Sequence, residues 1–181
     1  MQAFESLDST NNYLKKLAAE GAAEGTVVIA DEQTAGRGRM GRSFASAAGC
    51  GIYMSMLLRP ADCAPDCAQS LTAVCAVAVC RAVEKVCGRA PGIKWINDLY
   101  LRGKKICGIL TEGSVSMENG ELDYAIIGIG VNVTRHAFPP ELEGIASSVE
   151  QESGKKIDRC ALAGGISVSY THLRAHETDQ Y

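Results

Sequence analysis

Lys105-Ile106-Cys107-Gly108-Ile109-Leu110-Thr111-Glu112-Gly113-Ser114-Val115 and Leu122-Asp123-Tyr124-Ala125-Ile126-Ile127-Gly128-Ile129-Gly130-Val131-Asn132-Val133 are two apolar-rich runs with Asn119-Gly120 between them. Asn-Gly flanked by such runs is a strong hairpin signal, because both residues accept the positive φ that a tight turn demands. Upstream, Ile93-Lys94-Trp95-Ile96 and Leu99-Tyr100-Leu101 are further strand-like runs, the latter separated from Lys105 by Arg102-Gly103. Consecutive hairpins pair antiparallel. The pattern therefore predicts an α+β domain, a mixed but largely antiparallel sheet with helices packed on it.

Towards the N-terminus the rhythm changes. Ser9-Thr10-Asn11-Asn12 offers N-cap side chains, and Tyr13, Leu14 and Leu17 follow at helical spacing, which predicts a short helix ending by Gly21. Thr26 to Ala30 reads as a buried strand, and Ile52 to Leu58 as a second one stopped by Arg59-Pro60. Ala68 to Cys87 is Ala, Val and Leu with polar residues at intervals, a buried helix with Gly88 as its C-cap. Beyond Pro139-Pro140 the signal thins to one helix from Asp158 to Gly164. Ser169 to Tyr181 is polar and without periodicity, so it does not read as an integral element.

Composition narrows the class. The chain has 181 residues, 46% hydrophobic and 22% charged, with a net charge of −3. That suits one globular domain and excludes a disordered or collagen-like chain. The longest apolar run, Leu71 to Cys80, falls short of a membrane span, and no basic-then-apolar leader opens the chain, so a cytoplasmic protein is expected. There are eight cysteines. A cytoplasmic compartment argues against a disulfide framework, and Cys75 and Cys80, among Ala and Val in a helical stretch, read as small apolar residues. Cys63-x-x-x-Cys67 has no second pair at ligand spacing, and His136, His172 and His176 lie far downstream, which argues against zinc.

Four segments carry candidate chemistry. In Gly36-Arg37-Gly38-Arg39-Met40-Gly41-Arg42, and on to Arg59, no carboxylate intervenes between Glu32 and Asp62, although the chain as a whole is acidic. Glycines let the backbone approach an anion, and arginine forks grip carboxylate or phosphate. A solvated basic turn is the plainer alternative. The glycines also spell a dinucleotide fingerprint, but that motif must open a helix and here Ser43 to Gly49 leads to another strand. An RNA-binding patch would want interleaved aromatics and a basic surface.

In Lys94-Trp95-Ile96-Asn97-Asp98-Leu99 the Asn-Asp pair is either a turn or a carboxylate able to hold Mg²⁺ against a triphosphate. Gly103-Lys104-Lys105-Ile106-Cys107-Gly108 places adjacent lysines on a strand, so only one of them can face a site. Gly128-Ile129-Gly130-Val131-Asn132 is either a bulge or a bare strand on which a ligand lies, with the Asn amide reading it.

Together and in this order, with Asp8-Ser9-Thr10-Asn11 and Gln33-Thr34-Ala35 ahead of the arginine loop, these segments resemble the catalytic domain of biotin protein ligases, also called biotin–[acetyl-CoA-carboxylase] ligases, from about Phe4 to Ile166. The resemblance implies a fold like that of class II aminoacyl-tRNA synthetases and a two-step reaction. Biotin's carboxylate attacks the α-phosphate of Mg-ATP to give biotinyl-5′-AMP, and a lysine of a biotin carboxyl carrier domain then displaces AMP.

Residue by residue, it implies that Ser9, Thr10, Asn11 and Gln33 hold the ureido ring, with the Gly108 backbone also on biotin. Arg37, Gly38 and Arg39 order over the adenylate, and Lys105 meets the carboxylate and α-phosphate. Arg39, Arg42, Lys94 and Asn97 serve ATP, Asn132 the adenine, and Asp98 the Mg²⁺ or the incoming lysine. Lys105, Arg39 and Asp98 are thus the expected catalytic residues. The implied partner is the carrier domain of acetyl-CoA carboxylase or a related carboxylase, with no nucleic acid or membrane.

Departures are visible. Phe44 and Ser46-Ala47 stand where the family has Trp and Ser-Pro, and Ile96 stands in place of Pro. No helix-turn-helix precedes Phe4, and the chain stops before the family's small SH3-like domain. The expected organisation is therefore a biotin/lipoate ligase-type catalytic domain over residues 1–167, incomplete at its C-terminal end, and a non-family tail at 168–181, disordered or foreign. A lipoate or octanoate ligase or transferase of the same fold would need similar groups, though Ser9, Thr10, Asn11 and Gln33 suit a ureido ring better than a dithiolane. A ligand-binding fragment without turnover is the non-enzymatic alternative.

Overall fold

The structure, a computed structural model, describes residues 1–60, 64, 66–118 and 120–178, the last seven of these as backbone only. The Cys63-x-x-x-Cys67 spacing and Asn119 of the Asn-Gly signal fall on positions, Cys63 and Asn119, outside the described residues. The hairpin is nonetheless closed on either side of it. Ser116 N–H donates to Glu121 O, Gly120 N–H donates to Ser116 O, and Gly120 takes the positive φ of 74°.

In chain order the elements are β1 (Gln2–Leu7), α1 (Thr10–Ala19), β2 (Val27–Gln33), β3 (Gly51–Leu58), α2 (Cys67–Cys87), β4 (Gly92–Lys94), β5 (Asp98–Leu101), β6 (Lys104–Val115), β7 (Leu122–Asn132), α3 (Val149–Ser153) and α4 (Arg159–Thr178). Single 3₁₀ turns stand at Arg39–Gly41 and Pro140–Leu142. The strands form one seven-stranded sheet in the order β1-β2-β3-β7-β6-β5-β4. Only β1 and β2 pair in parallel, with α1 as their crossover; every other neighbouring pair is antiparallel, as the hairpin pattern predicts.

The two faces of the sheet are covered unequally. On one face α2 and α4 bury the main core, which includes Val79, Val83, Leu162 and Ile166 against Met54, Ile106, Ile127 and Ile129. On the other, α1 covers a smaller cluster of Leu14, Ala18, Val28, Leu57 and Ile126. Beyond the N-terminus of α1 that second face has no helix over it, and there the strands carry Gly108, Gly128 and Gly130. Gly88 caps α2 in the left-handed conformation at φ 76°, as expected.

Three elements differ from the sequence reading, one of them α3 (Val149–Ser153), a short helix that it did not foresee. β1 carries no strand signal of its own because it is an edge strand with mostly exposed side chains, held by pairing to β2 rather than by its own burial. The helix expected to end near Gly164 runs on to Thr178, and Tyr170, in the stretch that reads as no integral element, is buried with the main core. The paired glycines Gly164 and Gly165 suggest a stop, but tertiary packing overrides the propensity; Gly165 lets the helix lie against Ala82 of α2. Among the described residues no helix is long and apolar enough to cross a membrane.

Candidate active site

The bare part of the sheet is the floor of a cleft of about 590 Å³. Its glycines are there for what lies on them. A Cβ on Gly130 would sit 2.5 Å from the Phe44 ring, and one on Gly108 3.2 Å from it, while a Cβ on Gly128 would fall on the Asn11 amide. Phe44 therefore lies flat over two strands, with its edge held by Tyr53 at 6.4 Å between centroids. Burial pushes the Tyr53 phenol well above its ordinary value; it stays protonated and donates to Ala47 O at 3.0 Å. Phe44 thus covers the floor at the position where the family has Trp.

One end of the cleft is polar and preorganised. Ser9 caps α1 by accepting from Asn12 N–H. Gln33 Oε1 accepts from the Thr10 N–H at 2.9 Å and lies 3.1 Å from Thr10 Oγ1, while Gln33 Nε2 donates to Ser46 Oγ at 2.9 Å. Ser55 Oγ lies 2.6 Å from Asn11 Oδ1 and 2.7 Å from Thr10 Oγ1. An amide oxygen only accepts, so the single Ser55 proton goes to Asn11. On its other side Asn11 Nδ2 donates to Glu112 Oε2 at 2.9 Å and Leu110 O at 3.4 Å.

The other end is charged. Pairing of β5 with β6 steps from Leu99 opposite Cys107 to Tyr100 opposite Lys105, skipping Ile106. That bulge brings Lys105 onto the same face as Gly108, which strict alternation would forbid. Lys105 Nζ then pairs with Asp98 Oδ1 at 2.7 Å. Lys104 goes elsewhere, to the Gly144 carbonyl. Asn97 Nδ2 donates to Asp98 Oδ1 and Ile109 O, and its Oδ1 accepts from Arg39 at 3.0 Å.

The arginine loop is a closed turn, fastened by Phe44 N–H to Gly36 O and Gly38 N–H to Arg42 O, with Met40 at φ 56° on its tip. Arg37 is held by Asn12 Oδ1 and Glu112, and Lys94 lies over the Tyr100 ring. Burial tends to raise the Glu112 carboxyl, but hydrogen bonds from Lys15 and Asn11 and the charges of Lys15 and Arg37 outweigh it and hold the group below the ordinary carboxylate range.

Of the residues singled out in the sequence, Ser9, Thr10, Asn11, Gln33, Arg37, Gly38, Arg39, Arg42, Lys94, Asn97, Asp98, Lys105 and Gly108 all line this cleft. Asn132 does not; it is buried and its Nδ2 donates to Ser147 O at 3.2 Å. Glu112 and Ser55 were not foreseen. Ser55 had a signal, a lone serine inside the otherwise largely apolar Gly51–Leu58 run, whereas Glu112 meets Asn11 across 101 residues of sequence and had none. Trp95, Leu142 and Ile145 add an apolar rim that the sequence did not single out.

Among the described residues no group of three or more His, Cys, Asp or Glu side chains is placed to hold a metal. Among the described residues Asp98 is the one carboxylate lining the cleft, already paired with Lys105, so the donor set suits only a cation whose remaining ligands come with a phosphate chain.

Comparison with known proteins gives this geometry a context. A sequence model described as the Biotin/lipoate A/B protein ligase family matches residues 3–132. Bifunctional ligase/repressor BirA of Bacillus spizizenii is 46% identical over 166 residues, covering 91% of this chain and 50% of that protein. Biotin--[acetyl-CoA-carboxylase] ligase of Mycobacterium tuberculosis is 37% identical over 162 residues, covering 87% of this chain and 58% of that protein. This chain thus spans little more than half the length of the relatives it matches. Biotin protein ligase from Aquifex aeolicus in complex with biotin and ATP superimposes with a TM-score of 0.84 at 30% identity, covering 98% of this chain and 71% of that one. The expected class II aminoacyl-tRNA synthetase-like α+β architecture is shared with these ligases. The chain belongs to the biotin/lipoate A/B protein ligase family.

Proposed function

We propose that the chain carries the catalytic part of an ATP-dependent ligase that activates biotin as biotinyl-5′-AMP and transfers it to one lysine of a biotin carboxyl carrier domain. The observation that carries this reading is the Lys105–Asp98 pair, set on the glycine floor between a polar end and an arginine-lined end of one cleft. Two anions, a carboxylate and a triphosphate, must meet for adenylation. Arg39, Arg42 and Lys94 bring positive charge to that end, and the Lys105 ammonium neutralises the charge that builds as a carboxylate oxygen attacks the α-phosphorus and pyrophosphate leaves. In the second step the carrier's ε-amine attacks the acyl carbon, AMP departs with the electron pair, and the amine sheds a proton, which Asp98, a carboxylate lining the cleft, accepts.

Ser9, Thr10, Asn11 and Gln33 serve the ureido ring, with the Gly108 backbone beside biotin; Arg37 and Gly38 belong to the loop that covers the adenylate. Asn97 stands on the ATP side. Assignment of Asn132 to adenine rests on the resemblance alone, since its amide is turned to Ser147. Asp98 would hold the Mg²⁺ that arrives with the triphosphate and neutralises its charge. Residues 1–167 carry the ligase-type site in this reading, α4 continues beyond them to Thr178 with Tyr170 in the same core, and the acceptor is a carboxylase carrier domain.

Incubation with biotin, Mg-ATP and a carrier domain is expected to raise the carrier mass by one biotin. Modification with lipoate or octanoate in place of biotin would move the chain to the other branch of its family.

A further inference from the structure

Glu112 has no part in that chemistry, yet two separate pieces of the chain converge on it. From α1, Lys15 Nζ reaches Oε1 at 2.6 Å and Asn11 Nδ2 reaches Oε2 at 2.9 Å. From the arginine loop, Arg37 Nη1 lies 3.0 Å from Oε1 and 3.1 Å from Oε2. The carboxylate itself stands on β6, seven residues beyond Lys105, and its side chain is only 17% exposed. It is held ionised by the cations it holds. Arg37, in turn, opens the loop whose other limb carries Arg39 to Asn97.

We propose that Glu112 is a positioning residue that sets the biotin end and the arginine loop together, through Asn11 and Arg37 respectively. This rests on the biotin-ligase reading for the identity of the ligand and on the geometry alone for the coupling. Glu112 supplies the anion that lets two cations, Lys15 and Arg37, lie within about 3 Å of a common point. Without its charge they repel, and the loop limb carrying Arg37 keeps only the Asn12 amide, of the contacts described above, to hold it against α1. Asn11 has its oxygen fixed by Ser55, so Glu112 completes the orientation of the amide over Gly128. An incoming ligand then meets a loop whose first arm is already in place, which reduces the ordering required on binding.

The test is Glu112→Gln, which keeps shape and removes charge, with Arg37→Met and the double variant beside it. Amide hydrogen exchange of the unliganded protein reads the coupling without any ligand. In Glu112→Gln, exchange around residues 36–44 and around Asn11 is expected to rise roughly 10-fold, with the rest of the sheet unmoved. Biotin binding, by calorimetry, is expected to weaken about 10-fold and biotinyl-adenylate to be lost about 10-fold faster, in proportion to the loss of one or two charge-assisted hydrogen bonds. The double variant should lose no more than twofold beyond Glu112→Gln, because both changes break one contact.

Unchanged exchange in the loop, unchanged biotin binding despite a lowered melting temperature, or additive losses in the double variant would each overturn the proposal. If Glu112→Gln does not fold, Arg37→Met, at an exposed side chain, decides by loop exchange alone: a rise supports the coupling and no change overturns it. Failure of the unsubstituted chain to bind biotin would count against the ligase reading and leave the exchange result to decide this one.

Discussion

Lys105 owes its position to Ile106, the residue that the β5–β6 pairing skips. With regular alternation Lys105 would face α2 and the apolar main core, and would be turned away from the cleft floor. Lys105→Ala is expected to abolish adenylate formation, a loss of about 10²–10³ in pyrophosphate release, the scale of removing one preorganised electrostatic group. Arg39→Gly removes a side chain tethered only to Asn97, so pyrophosphate release should persist while adenylate leaks into solution, as seen by adenylate trapping on a filter. Equal pyrophosphate release from both variants would contradict these roles. At this scale the sequence was most informative where charge and glycine stood close together, as in Gly36 to Arg42. It was silent on Glu112, because a glutamate within a strand looks like any solvated residue until α1 is laid beside it.

The strands show why the glycines are where they are. Gly128 and Gly130 weaken β7 as isolated backbone, but β7 is flanked on both sides by β3 and β6, and the side chains they lack make room for Asn11 and Phe44. Gly130→Val is expected to expel Phe44 and abolish biotin binding while the far-UV spectrum stays that of the folded sheet; retained binding would show that Phe44 has room to move. α4 presents the opposite case. Leu162 is fully buried against the main core, and Leu162→Ala should cost about 2–5 kcal/mol, read as a fall in denaturation midpoint. The hairpins were legible because turn chemistry and period agree. β1 and the far half of α4 were not, because the first is an edge strand with few buried side chains and the second runs past two glycines that only its packing against α2 tolerates.

For the molecule as a whole, pH acts through carboxylates held below their ordinary range. Asp8, lowered chiefly by the Asn12 amide, and Glu112 both do so. A depressed folded pKa gives stability that is present above the unfolded value near 4.5 and is lost as pH falls through the folded one. The melting-temperature gap between the native chain and Glu112→Gln should therefore be widest at neutral pH and close as pH drops below about 4; a gap independent of pH would show that charge is not what Glu112 contributes. Burial pushes the Cys75 thiol up to about 12 and Cys107 well above its ordinary value, so an alkylating agent at pH 8 should leave both untouched in the native protein while labelling exposed Cys160. The strand order carries a last consequence, for assembly in time. β7 is the last strand in sequence among the described residues and the middle one in space. Until it has been made, β1 to β3 and β4 to β6 have no strand to join them, and the cleft is divided between the two groups. Only when Leu122–Asn132 slides between them do the halves become one sheet, so the site exists all at once or not at all, and the exposed edges of the unfinished chain are its period of greatest risk of aggregation.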